Sequence, residues 1–493
     1  MRVGIFTDFP SPTVQSGPAI HTRFLAEQLE KRDHSVVMLG PGAGNGGPSN
    51  DRESMLFYGL PFMTHPNVRI SLPGPYRNLT RRPPVDVMHG QTNTAQLEYA
   101  GYAHEMWGMP VINTHTVHLP THSHFLLSDG LYANETFRKW WKQRADDTEH
   151  VFARMYNRAD CLVVQSRHFV GYWRERGVTI PIEVVGRPID PAVFSRPVRR
   201  DPFPEGFRRG KRLLVVCRHD REKRLEHLID LFARQLAPSD PELTLTLVGD
   251  GHEHAALYGK ARETGYFDRI HFAGEARHDE LVDWYGHADL FLYTSLSETF
   301  GNVINEALWC GLPVVALDDN MGVAHQVHPG RNGFLVEPDR SDTDMTFARR
   351  VEQLLSDHEL RARFALNASR LSRESSHPTS VVQRFERIYA DAQRHAVEHV
   401  PHPLDQQSRV RQLASLARTA GKWGLMNGAT LATGAMAALS GAGRGAAVQH
   451  DEAVARYLDQ PIPAPKPELR PVPATAGLYG QAPRRRVSAL PGV

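Results

Sequence analysis

The chain has 493 residues, too many for one ordinary core, so two α/β domains with a smaller appendage are expected. Its 57 lysines and arginines nearly balance 55 aspartates and glutamates, which argues against a nucleic-acid binder that draws its affinity from phosphate neutralisation. The three cysteines, Cys161, Cys217 and Cys310, lie far apart and beside apolar runs, a pattern of buried thiols rather than of a disulfide framework or zinc site.

The opening segment MRVGIFTDF reads as a buried strand and lacks the charged start and apolar core of an export signal, so a cytoplasmic location is expected. Strand-length apolar runs follow at Val36 to Leu39, Val85 to Met88, Val111 to Asn113 and Leu162 to Val164. They alternate with helical patterns, which predicts a parallel sheet. The stretch His122 to Asn157 predicts a helical segment with aromatic and basic residues, a candidate acceptor or membrane face. A proline- and arginine-rich break, PIDPAVFSRPVRRDPFPEG, separates this series from a second one: Leu213 to Val216, Leu243 to Val248, Ile270 to Ala273, Leu290 to Tyr293 and Val314 to Leu317.

The expected division is therefore an N-terminal Rossmann-like domain over 1–190 and a second over 191–376. A helix over 377–402 crosses back to the first, and a basic Ala/Gly/Pro-rich appendage follows over 403–493. In that appendage Arg409, Arg411, Leu413, Leu416, Arg418, Trp423 and Leu425 describe a surface-seeking helix suited to an anionic bilayer, with Trp423 as anchor; a loosely ordered tail is the other reading. The small-residue run from Gly424 is too weakly apolar to span a membrane.

The segment SLSETFGNVINEALWCGLPVVA sets two carboxylates, Glu298 and Glu306, on either side of a helix start near Gly301. Unpaired backbone N–H groups of Thr299, Phe300, Gly301 and Asn302 would face a diphosphate there, assisted by the helix dipole. Glu306 suits a ribose diol and Glu298 the hydroxyls of a sugar, because a carboxylate accepts two hydrogen bonds at once. A bare pair of glutamates at a helix start more often only complements the dipole; the surrounding residues point further.

This segment resembles the donor signature of the family-four retaining glycosyltransferases: a glutamate, seven residues, a second glutamate, a small helix and then G-x-P-V-V. The resemblance covers roughly residues 1–400 and implies the GT-B fold, two Rossmann-like doubly wound domains facing a cleft. It extends to LLVVCRHDREKRLEHLI, where Arg218 and Lys223 would grip the diphosphate and stabilise it as a leaving group without a metal. It further implies roles beside the donor for Gly249, in the turn LVGDGHE, and for Gly17, in a first-domain glycine loop. At the strand end PVINTHTVHLP it implies a histidine near the sugar, here His115, with His118 as the weaker candidate. No GxGxxG fingerprint is present, so nicotinamide binding is disfavoured, and neither a cofactor nor a metal is expected.

Among family members the chain looks most like those that glycosylate diacylglycerol, on the segments LPFMTHPNVRISLPGPYR and NTHTVHLP, and Arg77, Arg81 and Arg82 could then meet lipid headgroups. The expected activity is transfer of a hexose-type sugar from a nucleotide diphosphate sugar, UDP-linked in the first instance, with a lipid acceptor at an anionic membrane surface. A soluble sugar or polyol acceptor and a non-catalytic GT-B scaffold are the alternatives. The chain departs from the family pattern at Ser16, Arg187, Met321 and His325, and the neighbouring Asp318 and Asp319 are expected to serve a turn.

Overall fold

The computed structural model describes residues 1–8, 17–42, 53–62, 65–74, 76–92, 94, 96–118 and 135–439. The first sheet comprises β1 (Arg2–Thr7), β2 (Ser35–Pro41), β3 (Ser54–Phe62), β4 (His65–Leu72), β5 (Val87–Gln91), β6 (Val111–Thr114), β7 (Cys161–Val164) and β8 (Ile182–Val184). Its spatial order is β4-β3-β2-β1-β5-β6-β7-β8, parallel throughout except for the β3–β4 hairpin at one edge. The second sheet comprises β9 (Arg212–Val216), β10 (Thr244–Val248), β11 (Ile270–Gly274), β12 (Leu290–Tyr293), β13 (Val314–Leu317) and β14 (Gly333–Val336). It is wholly parallel in the order β11-β10-β9-β12-β13-β14.

Helices cover both faces of each sheet, so interior strands such as β9 and β12 are buried along their length and read as continuous apolar runs. The edge behaves differently. The β3–β4 hairpin contains most of the segment read as an acceptor candidate; β2 pairs with β3 only as far as Phe57, so Pro61 falls where β3 has β4 alone as a partner. Each sheet reverses direction beside its first strand, at β1 and at β9. Loops at the carboxyl ends of the strands flanking such a reversal diverge and leave a crevice, which is where ligands bind in open parallel sheets.

A helix over His358–Ser376 stops at His377, and Pro378, which cannot continue the backbone ladder, opens the next helix, Pro378–His399. That second helix packs on the first sheet: Val381, Val382, Phe385, Ile388 and Tyr389 share a core with Val3, Ile5, Val87 and Ile112. Its polar contacts agree with this docking. Tyr389 Oη lies 2.8 Å from His89 Nδ1, and Arg32 makes a two-pronged bond to Glu386 at 2.8 and 2.9 Å.

The helix Arg409–Leu439 corrects the expectation of a Trp423 membrane anchor. Trp423 is fully buried against Phe57 and Tyr99 in the first lobe, and its indole N–H donates to Ser71 O at 2.7 Å. Ser415, Thr419 and Asn427, one turn apart on either side of it, are buried with it. An indole is worth more in an aromatic core with its N–H satisfied than at a lipid interface, so this face turns inward. Val410, Leu413 and Leu425 are left exposed on the outer face, among exposed Arg411, Arg418 and Lys422. No helix among the described residues is long and apolar enough to cross a membrane.

Candidate active site

Three loops at the carboxyl ends of β9, β10 and β12 build the donor side. After β12 the chain runs through Ser295 to Gly301 and enters the helix Asn302–Trp309. Gly301 caps this helix in the left-handed region at φ 82°, a conformation open to glycine at little cost. Gly249, at φ 133°, ends β10, where a Cβ would stand 1.9 Å from Cys217 O, so the β10 loop can lie directly over the one that carries Arg218.

Glu298 and Lys223 meet. Lys223 Nζ is 2.5 Å from Glu298 Oε1, which also accepts from Tyr293 Oη at 2.8 Å and Ser295 Oγ at 3.0 Å. Burial alone would lower the lysine pKa, but the charges of Glu298 and Glu222 and the bond to Glu298 raise it, so the ammonium stays protonated. Arg218 is half exposed and paired with Asp220 at 2.6 Å, swung along its own loop. Thr299 and Phe300 are buried, and the first N–H groups of the following helix have no acceptor within the helix itself.

Glu306 lies on that helix, nearly buried, and accepts from Tyr285 Oη at 3.0 Å while its other oxygen is 3.4 Å from His278 Nε2. The hydrogen bond to Glu306 raises the His278 pKa against the effect of burial. Sequence reasoning missed His278, which has no motif around it, and it also missed His21.

The departure Arg187 now has a place. Its buried guanidinium donates to Asn302 Oδ1 at 3.1 Å, and Asn305 Nδ2 donates back to Arg187 O at 3.2 Å. Burial pushes its pKa down to about 10, opposed by the Glu298 charge. From the first lobe, His21 shares a hydrogen bond with Asn302; burial first, then Arg187, hold its pKa well below the usual range. His21 sits in the Gly17–Glu30 helix, so the helix opened by Gly17 reaches the donor side, while Ser16 lies outside the described residues.

On the first-lobe side the two candidate histidines differ in their surroundings. His115 is fully buried behind the wall, its ring packed on Phe169 and Trp173, with Nδ1 3.4 Å from Tyr156 Oη. His118 instead lines two neighbouring cavities of about 430 and 350 Å³. The first is otherwise walled by Lys139, Lys142, Gln143, Asp146, Tyr172 and Arg176; the second reaches Asp319 and Met321 of the other lobe. Of the segment 122–157, residues 135–156 form a helix and the rest before it lies outside the described residues.

The lobes also touch through the unusual residues after β13. Ser166 Oγ donates to Met321 O at 2.7 Å, and Arg167 lies 3.4 Å from His325, whose pKa burial pulls down to about 4. Asp319 accepts from the N–H groups of Met321, Val323 and Ala324, and burial raises its pKa to about 6. Gly322 then packs against the Glu298–Phe300 backbone, where a Cβ would stand 2.6 Å from Glu298 O. Arg77, Arg81 and Arg82 remain exposed.

Two doubly wound parallel-sheet lobes, with carboxylates and cations gathered at the carboxyl edge of the second, define a GT-B glycosyltransferase. Residues 16–188 match the family model for a glycosyl transferase 4-like domain and residues 199–371 that for glycosyl transferases group 1; the chain belongs to this glycosyltransferase family. It is 25% identical to the alpha-monoglucosyldiacylglycerol synthase of Streptococcus pneumoniae over 64% of this chain and 71% of that protein. Against the GDP-mannose-dependent alpha-mannosyltransferase of Mycolicibacterium smegmatis it is 26% identical over 75% of this chain and 92% of that one. HepE of Anabaena, solved with UDP and glucose, superposes with a TM-score of 0.56 at 19% identity, over 79% of this chain and 99% of that one, a likeness of fold.

Proposed function

We propose that the protein is a retaining glycosyltransferase that moves a hexose-type sugar from a nucleoside diphosphate sugar, UDP-linked in the first instance, to a hydroxyl of a diacylglycerol-type lipid at an anionic membrane surface. The observation that carries the donor half is the Lys223–Glu298 pair beside the start of the Asn302–Trp309 helix. In this reading each partner holds the place of a donor group: the ammonium turns to the diphosphate and Glu298 to the sugar hydroxyls. Arg218, freed from its loop, joins Lys223 on the leaving group, and Glu306, steadied by Tyr285, takes the ribose. Transfer proceeds on the front face, the departing phosphate oxygen taking the proton of the acceptor hydroxyl. In this reading His118, on the cavity wall, approaches the sugar and His115, in ring contact with it, supports it from behind.

The lipid half rests on the outer face of the Arg409–Leu439 helix, with Val410, Leu413 and Leu425 exposed beside Arg411, Arg418 and Lys422. Such a face suits the boundary of an anionic bilayer, where each basic residue near the surface adds about 1 kcal/mol. Similarity to the pneumococcal synthase points the same way. The test is transfer from UDP-, GDP- and ADP-sugars by the purified full chain, with and without anionic liposomes containing diacylglycerol, repeated with Glu306→Ala and with Leu413→Glu/Leu425→Glu. Glycolipid formation abolished by the first variant, and sharply reduced by the second while donor hydrolysis persists, is the expected result. Transfer only to soluble sugars or polyols would overturn the lipid half; absence of donor binding would overturn the whole and favour a scaffold.

A further inference from the structure

Behind the Arg218 loop three side chains converge that the transfer chemistry does not use. His219 follows Arg218 at the end of β9 and is fully buried, Asp250 stands between the two glycines after β10, and His254 begins the helix His254–Glu263. The two imidazole rings lie stacked, centroids 5.0 Å apart and 15° from parallel, with Nδ1 facing Nδ1 at 2.9 Å. Asp250 Oδ1 is 3.3 Å from His254 Nδ1, and the three ligand atoms all fall within 4.8 Å of one another. Two like nitrogens so close must share either a proton or a cation.

We propose that His219, His254 and Asp250 bind a divalent transition-metal cation of the zinc class, and that the bound ion ties the Arg218 loop to the glycine turn Gly249–Gly251. Zinc takes imidazole nitrogens at about 2.0–2.1 Å, which in a tetrahedral site puts two of them about 3.3 Å apart, so the pair need open by only a few tenths of an ångström. Two imidazoles with one carboxylate favour zinc, cobalt or nickel over magnesium or calcium, which prefer oxygen. Asp250 is exposed, so water completes the shell from the solvent side. The backbone is already braced for this. His219 N donates to Asp250 O at 2.8 Å, Glu253 N donates to His219 O at 2.9 Å, and a Cβ at Gly251 would stand 2.7 Å from His219 O. The motif is spread over two loops, His219 and then Asp-x-x-x-His at 250–254, which is why no short metal signature marks it in the sequence.

The experiment is titration of Co(II), then Zn(II), into the tag-free full chain after chelator treatment, read by visible absorption and calorimetry. One equivalent is expected to bind, with a nitrogen- and oxygen-ligated cobalt spectrum and a rise in melting temperature. His254→Gln, at the partly exposed ligand, is expected to weaken binding on the order of 100-fold while leaving the melting temperature of the metal-free protein close to wild type, as is Asp250→Asn to a lesser degree. Absence of stoichiometric binding in the wild type overturns the proposal, as does binding unchanged in His254→Gln, which would locate the ion among the other histidines. UDP titrated into the metal-free and zinc-loaded forms is expected to give different affinities; equal affinities overturn the tie to the Arg218 loop. The metal readouts involve no nucleotide, so their failure is distinct from failure of the donor reading.

Discussion

Lys223→Met removes an ammonium that sits 2.5 Å from Glu298 with both side chains largely out of solvent. Unit charges at this separation attract by about 7 kcal/mol at an effective dielectric of 20, most of which desolvation offsets, and breaking such a pair from one side costs about 3–5 kcal/mol because the other charge stays behind. Here the carboxylate keeps the hydroxyls of Tyr293 and Ser295, which offset part of that cost, so a loss of about 2–3 kcal/mol is expected. In the proposed reading the same ammonium stabilises the leaving diphosphate, and loss of one preorganised charge-stabilising group lowers kcat by about 10²–10³. The two effects separate in the double variant Glu298→Gln/Lys223→Met, which leaves no uncompensated charge. Denaturant unfolding should place the double variant nearer to wild type than Lys223→Met, while sugar transfer stays lost in both. Unchanged stability in Lys223→Met, or a kcat within about tenfold of wild type, would refute the reasoning.

Gly249→Ala, with φ 133° and a Cβ 1.9 Å from Cys217 O, should destabilise the second lobe by at least about 3 kcal/mol and weaken nucleotide binding, measured by melting and calorimetry. Trp423→Ala empties the largest side chain joining the C-terminal helix to the first lobe, and a loss of about 3–5 kcal/mol in unfolding free energy is expected, together with faster proteolysis within 409–439. His278 has its pKa raised by the bond to Glu306, so the stability it contributes is present in full below its ordinary value of 6.5 and is lost as pH rises through the higher folded-state value. The difference in melting temperature between wild type and His278→Ala should therefore shrink from pH 6 towards alkaline pH; a difference that grows would contradict the assignment.

Much of the fold was legible because both-face burial leaves a strong trace. Strands β9, β12 and β13 are uninterrupted apolar runs, and the two series of them, with helices between, imply two parallel sheets. The hairpin β3–β4 and the short strands β8 and β14 escaped, since edge strands mix polar and apolar residues and three or four residues carry little periodicity. Within the site, Glu298, Gly301 and Glu306 were readable because their relation is local, a strand end, a turn and a helix start in one segment.

What only tertiary structure decided is which distant groups come to that segment, and which face each side chain takes. His21, Arg187 and His278 reach it from three other elements, and no spacing along the chain relates them to it. His115 and His118 are three residues apart at the same strand end, yet one is enclosed by Phe169 and Trp173 and the other opens on a cavity. Trp423 reads from the sequence as a lipid anchor or as part of a loosely ordered tail; the aromatic surface of Phe57 and Tyr99 and the carbonyl of Ser71, contributed from more than 300 positions earlier, put it in a core instead. Local sequence sets periodicity and turn chemistry, because these depend on neighbours along the chain. Burial and charge pairing depend on neighbours in space, and those exist only once the lobes have formed.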